Sequence, residues 1–110
     1  MRTSLSRVDD LLAALSALPG QRVLIREALT RDRPSYDPHA ATFSQFYMQV
    51  QEVETWFSGA HARLRGSEGS EYDIALLAVA AAHRDENGTL TVTEQFESKT
   101  ERRTIIEGAV

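Results

Sequence analysis

The sequence predicts an α+β domain with two amino-terminal helices, a long central amphipathic helix and a carboxy-terminal antiparallel β-hairpin or three-stranded meander. Three observations carry that expectation. Leu5, Val8, Leu12 and Leu15 recur at helical spacing, Phe43 to Leu64 keep an unbroken alternation of three- and four-residue gaps, and Asn87-Gly88 precedes an alternating apolar stretch. An all-α domain with one small hairpin is the runner-up.

In the first element, Leu11 and Leu18 widen the stripe set by Leu5 to Leu15, and Pro19-Gly20 ends it. Thr3, Ser4 and Ser6 are candidate N-caps, with Ser6 and Asp9 at capping-box spacing. Residues 21–32 read as a second helix, because Ala28 and Leu29 favour one, although Val23 and Ile25 would also alternate in a strand. Asp37-Pro38 then reads as a helix start, the carboxylate capping and the proline in the first turn. From there Phe43, Phe46, Val50, Val53, Phe57, Ala60 and Leu64 form a heptad seam, stopped at Gly66. An unbroken helix over residues 38–65 would run about 42 Å and overhang a domain of about 34 Å diameter.

Gly66 to Glu71 reads as a linker. Residues 72–83 fit a buried helix by their alanines, or the first arm of a hairpin by their relation to Asn87-Gly88. The turn favours the hairpin, with Leu77, Val79 and Ala81 on the face of Leu90, Val92 and Phe96. Glu97 to Arg103 reads as a charged turn, and Thr104 to Val110 as a third strand.

Composition sets the outer limits. The chain has 110 residues, the size of a single domain (residues 1–110), with apolar and charged fractions ordinary for a globular protein. With no cysteine it has no disulfide, thiolate metal site or cysteine nucleophile. The longest apolar run, Ile74 to Ala82, is about half of what a membrane helix needs, so a soluble, cytoplasmic protein is expected. The net charge of −4 argues against general nucleic-acid binding. Arg22, Arg26, Arg31 and Arg33 are the residues that would contradict it.

No catalytic residue, cofactor site or metal site is expected. His39, His61 and His83 lack ligand spacing. Asp37 is explained as a cap, and Tyr47, Glu54 and His61 sit about 10.5 Å apart along a helix, too far for direct contact. Gly66-Ser67-Glu68-Gly69 matches no phosphate loop.

What remains is an interaction surface. Phe43, Phe46, Val50, Val53, Trp56, Phe57 and Leu64 are the expected interface, with Arg63 beside Trp56 as a hot-spot pair. The expected function is a non-enzymatic protein-interaction module, a homodimer or a subunit of a larger assembly. The alternative is a small-molecule site, enzymatic or not, between central helix and sheet, lined by Phe43, Tyr47, Phe57 and Phe96 with Glu54 and His61 as its polar groups. Nucleic-acid binding through the amino-terminal arginines ranks last.

Overall fold

The computed structural model describes residues 2–5, 7–30, 41–56, 59–97 and 100–108, with Ala41 by its backbone alone. The expected α+β architecture is overturned. The described residues form an eight-stranded antiparallel sheet with one short helix, α1 (Val8–Ser16). The strands are β1 (Thr3–Ser4), β2 (Arg22–Thr30), β3 (Ala41–Trp56), β4 (His61–Gly66), β5 (Glu71–Ala75), β6 (Val79–Arg84), β7 (Leu90–Phe96) and β8 (Thr100–Gly108). Their order across the sheet is β1-β6-β7-β8-β2-β3-β4-β5.

The central helix is replaced by β3, and the heptad pattern has a strand explanation. Phe46, Met48 and Val50 alternate and point inward, while Phe43, Gln45 and Tyr47 point outward. A register irregularity between Val50 and Glu52 then shifts the phase, so that the next inward residue is Val53, paired with Leu64. One inserted residue turns a step of two into a step of three, which imitates helical spacing. The same bend solves a length problem. Sixteen residues at about 3.3 Å would reach about 53 Å, and the longest dimension of the molecule is 39 Å.

The second expected helix is also a strand. Val23 and Ile25 of β2 are buried, and β2 is hydrogen-bonded along its length to β3 on one side and β8 on the other. Two complete ladders outweigh the helix propensity of Ala28 and Leu29. The proposed helix start at Ser35 to Pro38, and His39 with it, lies outside the described residues.

Helix α1 starts later than its apolar pattern, because Thr3 and Ser4 pair with Arg84 and His83 as a short edge strand. Leu5, Leu11, Leu15 and Leu18 are buried in one cluster with Val23, Ile25, Met48, Val50, Leu64, Ile74 and Ile106. Residues 72–83 form β5, a 3-10 turn at Leu76–Ala78, and β6. Asn87-Gly88 turns β6 into β7, with Gly88 at φ 84° and the Asp85 carboxylate accepting the amides of Asn87 and Thr89. The pairing of Ala82 with Val92 makes Ala82 the inward residue, in place of the expected Ala81, and Leu77 is 83% exposed. The third strand begins at Thr100, inside the expected charged turn.

The sheet curls until β5 lies beside β7 and β8, where side chains supply the hydrogen bonds that a strand would. The carboxylate of Glu94, fully buried, accepts the Ala75 amide at 2.9 Å, and Arg102 Nη2 donates to the Asp73 carbonyl at 2.8 Å. Arg102 also grips Glu94 in two bonds of 2.9 and 2.7 Å. The pair thus presents β5 with one acceptor and one donor, which satisfies an edge that would otherwise invite another strand.

Candidate docking surface

The curl gives the molecule an inside and an outside, and titratable groups occur on both. Inside, beside the Glu94–Arg102 pair, Tyr72 Oη donates to Glu27 at 3.0 Å and shares a 2.6 Å hydrogen bond with Thr104. Burial, above all, pushes the Tyr72 hydroxyl well above its ordinary pKa, with Thr104 and Arg102 opposing. Burial acts to lower the pKa of Arg102, but the hydrogen bonds and charge of Glu94 outweigh it and hold the guanidinium above its usual value. Each of these groups has a polar partner within the chain, and the cluster helps to close the sheet. Among the described residues no group of histidine and acidic side chains could hold a metal ion.

The outer surface divides at the bend of β3. Beyond it, the outward residues form a charge-filled grid. Glu52 faces Arg65, Glu54 faces Arg63, and Trp56 faces His61 across β3 and β4, while Glu71 and Asp73 stand on the far side in β5. Arg63 donates to Asp73 at 2.8 Å and lies 4.5 Å over the Trp56 ring. The hydrogen bond to Asp73 raises the Arg63 pKa against an opposing desolvation, with the charges of Asp73, Glu71 and Glu54 adding to it. Arg65 pairs with Glu52 and Glu54, and His61 packs on Trp56 with ring centroids 5.0 Å apart. This face uses its own chemistry internally.

Before the bend the picture reverses. The register of β3, β2 and β8 sets their outward side chains in three rows: Phe43, Ala28, Arg103; then Gln45, Arg26, Ile105; then Tyr47, Leu24, Glu107. Ala28 is the small residue among larger ones, so the surface dips over it. A hollow of about 440 Å³ opens there, lined by Arg26, Ala28, Phe43, Gln45, Arg103 and Ile105. Phe43 is 65% exposed and Tyr47 57%, although Arg22 lies 4.7 Å over the Tyr47 ring. Arg26 is paired with Glu107 at 2.7 Å, whereas Arg103 has no ion pair among the described residues.

The structure scatters the interface residues expected from the sequence. Val50 and Leu64 are in the core, Phe46 packs on Tyr72 at 5.8 Å, and Val53 leans on the core. Trp56 is engaged by His61 and Arg63, and Phe57 lies outside the described residues. Among the described members of the set, Phe43 alone is both exposed and on the hollow. The Tyr47, Glu54, His61 constellation is not brought together, since Tyr47 sits on the first half of β3 and Glu54 on the second. Arg22 and Arg26 share the outer face with Tyr47, and Arg31 and Arg33 lie outside the described residues. Sequence reasoning missed Ala28, Arg103 and Ile105. The signal that could have found them is the period-two alternation of residues 22–30 and 100–108.

No family model matches the chain, and no curated protein does. Among solved structures, the crystal structure of the Bacillus subtilis YojF protein is similar in fold, with a TM-score of 0.71. The match covers 98% of this chain and 94% of that one at 13% sequence identity. At that identity the likeness establishes a shared architecture and carries no activity across. No helix among the described residues is long and apolar enough to cross a membrane.

Proposed function

We propose that this chain is a non-enzymatic protein-interaction module that docks through the outer face of β8, β2 and β3. The observation that carries the reading is the exposure of two aromatic rings on one strand, Phe43 at the edge of a hollow and Tyr47 one row further from it. Leaving such rings in water forgoes roughly 1.5–3 kcal/mol each relative to full burial, and aromatic and arginine side chains around a small-residue hollow have the composition of an interface centre.

Absolute mass by light scattering across a concentration series tests the reading. An assembly heavier than one chain that returns to single-chain mass with Phe43→Arg and Tyr47→Glu together supports it. An assembly that survives both substitutions has its interface elsewhere, and the reading fails.

The hollow itself favours a second reading, a small-molecule site in which Arg103 meets an anionic group. It ranks below the first because the hollow is an open dish, and ligand pockets enclose most of their ligand's surface. A thermal-shift screen with aromatic and aliphatic carboxylates that moves the wild type and leaves Arg103→Ala unmoved would reverse the ranking.

A further inference from the structure

Resting on the docking face proposed above, we infer that its occupant is a second copy of this chain, related by a two-fold axis running along β2, so that Phe43 of each copy lies on Arg103 of the other. The inference comes from the order of residues across the three strands. The first row reads aromatic, small, cation: Phe43 on β3, Ala28 on β2, Arg103 on β8. A two-fold along β2 lays each copy's β3 over its partner's β8. The aromatic end of the row then meets the cationic end, and the two Ala28 hollows face each other at the centre.

Each part of the row is suited to that meeting. The Phe43 ring projects, at 65% exposed, so it can reach the β8 side of a second copy. Arg103 has no ion pair among the described residues. A guanidinium on an aromatic face gains about 0.5–2 kcal/mol, more as water is excluded. The chain already uses this contact, with Arg22 over Tyr47 at 4.7 Å and Arg63 over Trp56 at 4.5 Å. The same axis carries the third row to a matching end: Tyr47 meets Glu107 of the other copy, and Leu24 meets Leu24. The middle row brings Arg26 towards Arg26, a repulsion reduced because each is bound to its own Glu107 at 2.7 Å. An isologous interface requires one patch that complements itself, and the first and third rows do so by exchanging their ends.

The absence of cysteine from the sequence makes the arrangement directly testable by cross-linking. Ala28→Cys sits on the inferred axis, and Arg65→Cys stands on the outer face of β4 as a control. With a short bismaleimide, Ala28→Cys is expected to form covalent dimer at least about tenfold faster than the control. In parallel, Phe43→Arg is expected to raise the dimer dissociation constant about thirtyfold or more by setting two guanidiniums together. Adding Arg103→Glu to the same chain should recover most of that loss, since each new arginine then meets a carboxylate of the other copy. All four side chains are at the surface, and an unchanged circular dichroism spectrum confirms folding in each variant, since weakening the dimer itself lowers the thermal midpoint.

A wild type at single-chain mass throughout overturns the inference. A dimer that Phe43→Arg with Tyr47→Glu dissociates, but that shows neither the Ala28 cross-link nor the charge-swap rescue, also overturns it, while leaving the docking face in place. A dimer indifferent to those substitutions overturns the docking face as well.

Discussion

The two halves of strand β3 were given similar raw material and use it differently. Ala41 to Val50 present Phe43, Gln45 and Tyr47 to the outside, and Glu52 to Trp56 present Glu52, Glu54 and Trp56. What differs is the neighbour. Beside the second half, β4 supplies His61, Arg63 and Arg65, one opposite each outward residue. Beside the first half, β2 supplies Leu24, Arg26 and Ala28, and Arg26 turns to Glu107 on β8. One half therefore satisfies its rings and charges within the chain, and the other, even with Arg22 over Tyr47, leaves both its rings more than half exposed. A cross-strand neighbour, more than the residue itself, decides whether an outward aromatic is structure or surface.

The sharpest way to break that comparison is a pair of substitutions two faces apart on the same strand. Val50→Asp places a carboxylate in the core, where the residue is 1% exposed, and should cost about 4 kcal/mol or more. Phe43→Arg, on the outside, should change the stability of the dissociated single chain by less than about 0.5 kcal/mol and act otherwise on association. Chemical denaturation of both variants, with mass measured on the second, checks the contrast. Equal destabilisation would mean that Phe43 is part of the core.

The next effect is at the closure between β5 and β7. Glu94→Ala leaves Arg102 half-buried without its main partner and should cost about 3–5 kcal/mol, whereas Glu94→Leu with Arg102→Met should cost less than the single change. Urea titrations of the three proteins decide it. A single substitution milder than the double would show that the pair does not hold β5.

Tyr72 gives a smaller, pH-dependent effect. Its hydroxyl has a folded-state pKa raised above the ordinary value of about 10, so the folded chain holds the proton that the unfolded chain releases. Stability is complete below about pH 10 and is lost as pH rises above it. Tyr72→Phe should cost about 1 kcal/mol at neutral pH and flatten the alkaline decline; thermal midpoints from pH 8 to 11 test both. The smallest change is expected at Arg63→Ala. It removes exposed ion pairs and the contact with Trp56, should lower the thermal midpoint the least of these changes, and that effect should shrink as salt is added. Association should be unaffected, in contrast to Phe43→Arg.

Local chemistry was legible in the sequence. The leucine stripe of α1, its Pro19-Gly20 stop, the Asn87-Gly88 turn and the alternation of Leu90 and Val92 depend on residues a few positions apart, and local patterns report them. The composition and the absence of cysteine are fixed by the sequence as well. The fate of residues 22–30 and 41–66 was not local. Phe43, Phe46, Val50 and Val53 fit a helix by spacing alone, because a β-bulge after Val50 reproduces a three-residue step. Yet Thr42, Phe43, Phe46, Tyr47, Val50, Val53, Thr55 and Trp56 are the residue types that favour strands, a signal that spacing overrode.

The candidate surface was legible only in part, through Phe43. Ala28 and Arg103 are 75 positions apart in sequence and opposite each other in the sheet, and nothing in either segment announces the other. The sequence by itself determined which residues are apolar, where the chain turns and what chemistry is missing. Tertiary structure decided which of two apolar periodicities is real, which rings are buried and which meet water. Strand pairing is a long-range choice, settled when many backbone hydrogen bonds and a shared core are satisfied at once.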